Sequence, residues 1–149
     1  MNTKLKGDIA EQAIILKSLL KGWGVSRPVG DRLSYDLILD VNNSLVKVQV
    51  KSAWFDCNKE NYVVDVRRTN TNKRKMTRTL YSGSDFDFAI IYLQEIDVCY
   101  VMPNSVFTSY GSEIHFSETT RRQRKPKSWI YREAWDLILH WAVSEEIPK

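Results

Sequence analysis

Residues 35–55, YDLILDVNNSLVKVQVKSAWF, decide the fold. The first seven, YDLILDV at 35–41, have the aliphatic and β-branched content of a strand. Asn42-Asn43 is a hairpin signal, because asparagine tolerates the positive φ that a two-residue turn demands. Residues 44–55 then alternate, with Leu45, Lys47, Gln49 and Lys51 on one face and Val46, Val48 and Val50 on the other. The result is a hairpin with an acid, Asp36, near the start of its first strand. Its second strand carries Gln49 and Lys51 two apart on a shared face.

The flanking sequence supplies the other layers. Residues 7–23 predict an amphipathic helix with Ile9, Ala13, Leu16 and Leu20 on its apolar stripe, Asp8 complementing its dipole, and Gly22 and Gly24 at its end. Residues 25–29 predict a short strand weakened by Pro28, and 30–32 a turn. Residues 61–68 alternate again. The apolar run FDFAIIYL at 86–93 predicts a central strand, 97–102 an antiparallel return stopped by Pro103, and 114–117 one more short strand. Residues 129–143 predict a helix with Trp135, Leu139 and Ala142 on one stripe. Trp129, Trp135 and Trp141 read first as core packing and second as a subunit interface. Helix, strands, helix is the order of an α/β fold, a mixed sheet flanked by helices, and 149 residues suit one domain over 1–149.

The composition, 43% hydrophobic and 27% charged, is that of an ordinary globular chain. There is no apolar run of the ~18 residues that a membrane span needs, and MNTKLKGDIAEQ lacks a signal-peptide core. Cys57 and Cys99 read as free thiols in a reducing cytoplasm, and no Cys/His cluster has zinc-ligand spacing. The net charge of +4 conceals an uneven distribution: residues 67–80 carry +6, 81–120 carry −6 and 121–127 carry +5. The first basic block, 67–78, holds Arg67, Arg68, Asn70, Asn72, Lys73, Arg74, Lys75 and Arg78. The second, 121–127, holds Arg121, Arg122, Arg124, Lys125 and Lys127. These side chains reach phosphates and base edges, so both blocks are candidate DNA contacts.

Phosphodiester hydrolysis assisted by a hard cation needs oxygen ligands and a nearby positive charge. Asp36 is one carboxylate. Glu11, one position off the helix stripe, becomes a second if that helix packs beside the hairpin. The backbone carbonyl of Val50 is a further oxygen and Lys51 the cation. The competing reading is structural: Lys47, Gln49 and Lys51 as the wet face of a half-buried strand, Asp36 as a turn cap, and Glu11 as a surface residue. The four positions together, beside two basic blocks, favour chemistry. His115 and His140 lack partners at the spacing of a His-Asn-His nuclease. No Ser, Cys and His arrangement suggests a triad.

Residues 28–51, with PVGDRLSYDLILD followed by VKVQVK, resemble the core of the PD-(D/E)xK nuclease superfamily. The helix GDIAEQAIILKSLL and the segment DFDFAIIYLQEIDVCYVMP extend that resemblance over about two-thirds of the chain. It is most similar to the group I intron-encoded homing endonucleases of the bacterial type. The resemblance implies a restriction-endonuclease-like core, with Asp36 as the first motif aspartate and metal ligand, Lys51 as the motif lysine and Glu11 as the helix acid. Gln49 stands where a second carboxylate is usual, and Ser34-Tyr35 where the motif proline is. The implied cofactor is Mg²⁺, with Mn²⁺ or Ca²⁺ able to take its place in binding. The implied partners are double-stranded DNA and further copies of the chain, in a dimer or tetramer, since one chain offers one site for two strands. The expected function is site-specific cleavage of duplex DNA. A junction resolvase, a restriction-like nuclease and a non-catalytic DNA-binding module on a decayed nuclease fold stay open as alternatives.

Overall fold

The computed structural model describes residues 2–71, 76–118 and 124–146; at 69–71, 76–78 and 145–146 only the backbone is described. The chain opens with helix α1, Thr3–Leu20, whose N-cap Asn2 accepts the Lys4 and Leu5 amides through Oδ1 at 2.8 and 3.4 Å. This cap starts the helix earlier than the periodicity suggests. Asp8 therefore lies beyond the first turn and does not have the dipole role expected of it. The buried side is also turned from the predicted stripe. Ala10, Ile14 and Ser18 are enclosed, whereas Leu16 and Leu20 are exposed. Ser18 tolerates burial because its hydroxyl donates to the Ile14 carbonyl at 2.7 Å.

The central sheet has the order β1-β2-β3-β8-β9, built from Gly24–Ser26, Leu37–Val41, Ser44–Ser52, Phe88–Leu93 and Val98–Pro103. All neighbours are antiparallel except β3 and β8, which run parallel. Asn42 and Asn43, at φ 50° and 67°, form the two-residue turn between β2 and β3, with Val41 opposite Ser44. The alternating run 44–55 is not one strand. β3 stops at Ser52, and β4, Trp54–Asp56, joins a second sheet of order β10-β5-β4 with β5, Asn61–Asp65, and β10, Glu113–Phe116. Of the first basic block, the described stretches β6, Arg68–Thr71, and β7, Met76–Thr79, pair as a two-stranded antiparallel ribbon.

Two cores lie against the central sheet. Val46, Val48, Leu37, Leu39, Ile90 and Val101 pack with α1 and with α3, Asp136–Glu146. Ala89, Ile91, Tyr100 and Met102 pack with the second sheet and with Phe107 of the short α2, Asn104–Thr108. The last helix begins later than predicted. Trp129 lies in a 3₁₀ turn, Lys127–Tyr131, and Glu133 at φ 51° interrupts the helical path. Glu133 is held against the sheet edge by bonds to Cys99, its amide donating to the carbonyl at 2.8 Å and its carboxylate accepting the amide at 2.7 Å. Leu139 is exposed and Ile138 takes the predicted buried position. Trp135 is buried against Trp23, in line with the core reading, and Trp141 packs on Phe88 while staying partly exposed. Cys57 and Cys99 are free, as the sequence indicates. Among the described residues, no helix is long and apolar enough to cross a membrane.

Candidate functional site

The site forms where β3 outruns β2. Pairing of the two strands stops at Leu37 opposite Val48, and the Asp36 amide adds a last ladder bond to the Val48 carbonyl at 2.9 Å. Among the described residues, no strand pairs with β3 on that side beyond Val48. The Asp36 side chain takes over: Oδ2 accepts the Val50 amide at 2.8 Å and the Gln49 Nε2 at 2.9 Å. The same Gln49 nitrogen donates to the Val50 carbonyl at 3.3 Å. One amide nitrogen thus sits between the two oxygens that the sequence reading assigns to a cation.

Glu11, Asp36, Gln49, Val50 and Lys51 all line one cavity of about 690 Å³. Burial holds the Asp36 carboxyl above its ordinary range, against the lowering pull of the Val50 amide and Lys51. Glu11 is raised as well, first by burial and then by the Asp36 charge, with Arg27 at 3.9 Å opposing. The Lys51 ammonium is pushed down by burial and held up by Asp65 and then Asp36. It donates to the Arg67 carbonyl at 3.2 Å and lies 5.1 Å from the Tyr81 ring centre. The site therefore presents two carboxyls raised by burial, Glu11 raised further by the Asp36 charge, and a desolvated ammonium.

Among the described residues, no three His, Cys, Asp or Glu side chains gather into a metal nest. The donors that fit a hard divalent cation are Glu11, Asp36 and the Val50 carbonyl, all oxygen. A cation among them would offset the burial that raises both carboxyls and the Asp36 charge that raises Glu11 further. Ser52 Oγ, in the same cavity wall, is buried without a hydrogen-bond partner among the described residues.

Two wall residues escaped the sequence reading as a pair. Asp65 ends β5, accepts the Arg67 amide at 2.8 Å, and holds the Arg67 guanidinium at 3.1 and 3.2 Å. The signal was the acid-to-basic switch at the end of an alternating strand, VVDVRR at 63–68. Arg67 is thus both a predicted DNA contact and a wall of the cavity. Arg68 donates to the Arg32 carbonyl at 3.0 Å. In the second block, Arg124 and Lys127 are exposed, and Lys125 stands 4.0 Å from the Trp129 ring centre. Asn70 and Arg78 lie in the β6–β7 ribbon, where only the backbone is described. Asn72, Lys73, Arg74, Lys75, Arg121 and Arg122 lie outside the described residues.

The sequence model of the PD-(D/E)XK endonuclease family matches residues 1–138. Among solved structures, the chain is similar to "The structure of a bacterial homing endonuclease: I-Ssp6803I". The identity is 57% and the TM-score 0.93, over 99% of this chain and 100% of that one. No curated protein sequence matches the chain. A family match over most of the sequence, with a full-length structural likeness at this identity, shows that the chain belongs to the PD-(D/E)XK endonucleases.

Proposed function

We propose that this endonuclease cuts double-stranded DNA at a defined site, as a homing endonuclease, by metal-assisted phosphodiester hydrolysis. The observation that carries the reading is the Asp36 carboxylate bound to the Val50 amide beside Gln49 and Lys51, in one cavity with Glu11. Asp36, Glu11 and the Val50 carbonyl would hold the cation, Mg²⁺ in this reading, which when bound polarises a phosphoryl oxygen and makes water more acidic. Lys51 orients the attacking water and stabilises the charge that develops on phosphorus. Gln49 positions the Asp36 carboxylate. The basic segments at 67–78 and 121–127 hold the duplex through its phosphates and read base edges. Each chain offers one such cavity, so cutting both strands calls for a dimer or tetramer on a target with matching symmetry.

Selection of cleaved sites from a random duplex library with Mg²⁺ tests this. The expected result is one recovered sequence family with approximate dyad symmetry. Lys51→Ala should recover none, its rate falling by about 10²–10³. A second reading, a DNA-binding module without catalysis, is favoured by the amide at position 49 in place of a carboxylate. Duplex binding with a steep salt dependence but no cleavage by the wild-type chain would establish it.

A further inference from the structure

Three glycines, Gly22, Gly30 and Gly111, sit at positive φ of 82°, 82° and 84°, where only glycine is comfortable. At Gly24 an added Cβ would come within 3.1 Å of the Asp40 Cβ, so a side chain there would have to press Asp40 back by a few tenths of an ångström. Gly7 has neither reason. It lies in the second turn of α1, inside a regular helix, and an added Cβ would meet nothing within 4 Å. Glycine inside a helix destabilises it relative to alanine. The helix is therefore weakened at Gly7 with no packing contact among the described residues to require it.

Its position suggests the reason. Gly7 lines the same cavity as Glu11, one helical turn further on, and Thr3, one turn earlier. Lys6 beside it also lines the cavity, and its ammonium has a long ion pair with Glu95 at 3.9 Å. A bare stretch of helix backbone next to a lysine, continuous with the carboxylates, fits a polyanion in close contact.

We propose that Gly7 is a substrate-contact position. The missing side chain lets the sugar–phosphate backbone next to the scissile phosphate pack on the α1 backbone, with Lys6 as its flanking cation. This rests on the endonuclease reading, and it predicts opposite effects on fold and function.

The test uses Gly7→Ala and Gly7→Leu on the duplex recovered by the wild-type selection, with Ca²⁺ for binding and Mg²⁺ for cleavage. Both variants should melt above the wild type, alanine and leucine being better helix formers. Affinity should drop about fivefold for alanine and up to about a hundredfold for leucine, as for overfilling a close-packed contact. Higher melting temperatures with unchanged affinity and cleavage would overturn the inference while leaving the endonuclease reading intact. So would a loss of affinity accompanied by a change in oligomer mass in light scattering, which would put a second copy against Gly7. A wild-type chain that selects no site would remove the reading beneath it.

Discussion

Gln49 illustrates how one side chain sets the character of the site. Its amide nitrogen lies between Asp36 Oδ2 and the Val50 carbonyl, a partial positive charge beside two of the oxygens that would hold a cation. Gln49→Glu replaces that donor with a third negative group beside Asp36 and Glu11. The metal-free variant should melt below the wild type and gain a larger upward shift on adding Mg²⁺. At saturating metal, each tenfold in affinity adds about 1.4 kcal/mol. Equal Mg²⁺ shifts in differential scanning would place position 49 away from the metal. Glu11 gives a pH signature. Its carboxyl is raised by burial first and by Asp36 second. A carboxyl with a folded pKa above its unfolded value binds its proton more tightly when native. Stability is therefore lost as pH rises from the unfolded to the folded value, and stays lost above it. Glu11→Gln should raise the metal-free melting temperature at about pH 8, and the gain should fade to nothing as pH drops below the ordinary glutamate value near 4.3. Cleavage by the same variant should fall about a hundredfold, the scale expected for the loss of one charged group from such a site. A melting gain that does not change with pH would assign the effect to packing.

At the scale of elements, the structure depends on how the end of one strand is finished. β8 carries the second layer of this arrangement. The Asp87 amide donates to the Lys47 carbonyl at 2.8 Å, and the Asp87 carboxylate accepts the Lys47 amide at 2.8 Å. The buried Asn104 at the start of α2 donates through Nδ2 to the Phe86 carbonyl at 2.9 Å and the Ser82 carbonyl at 3.1 Å. Asn104→Ala leaves a buried carbonyl without its donor. It should cost about 1–3 kcal/mol in urea unfolding, with the urea dependence unchanged. The hairpin, with the placing of Asp36, Gln49 and Lys51 along it, was legible because it is one local unit with a period-2 second strand, and β8 because its apolar run is continuous. The end of β3 was not: SAWF continues the alternation. The Ala53 amide gives β3 its last ladder bond, to the Tyr92 carbonyl at 3.0 Å, and the break beyond it comes with the pairing of β4 to β5. The buried side of α1 was misread for a related reason, since the self-bonded Ser18 is enclosed while Leu16 and Leu20 face out. For Asp65 the acid-to-basic switch in VVDVRR marks a notable strand end, but its place in the cavity wall comes from the approach of the second sheet, which a local pattern does not encode.

At the scale of the molecule, charge separates by region. Two acids of the negative middle segment, Glu95 and Asp97, pair with Lys6 and Lys17 of α1 at 3.9 and 3.2 Å, so part of that charge ties the helix to the sheet. The basic blocks carry the counterpart. Lys125, stacked on Trp129, is a described member of the second block. Lys125→Ala should weaken duplex binding evenly across sequences and reduce the slope of log affinity against log salt by about 1; an unchanged slope would take this lysine off the DNA. The Asn42-Asn43 turn has a consequence for how the gene can vary. Exposed turns ordinarily absorb insertions. Here the turn is the spacer that brings Asp36 opposite the amide of Val50. One residue added at its tip would slide the first strand along the second and invert its faces. A surface loop far from the cavity should therefore accept the few residues at ease with positive φ, such as glycine or aspartate, and length change hardly at all, with a single inserted codon silencing cleavage as fully as loss of Lys51.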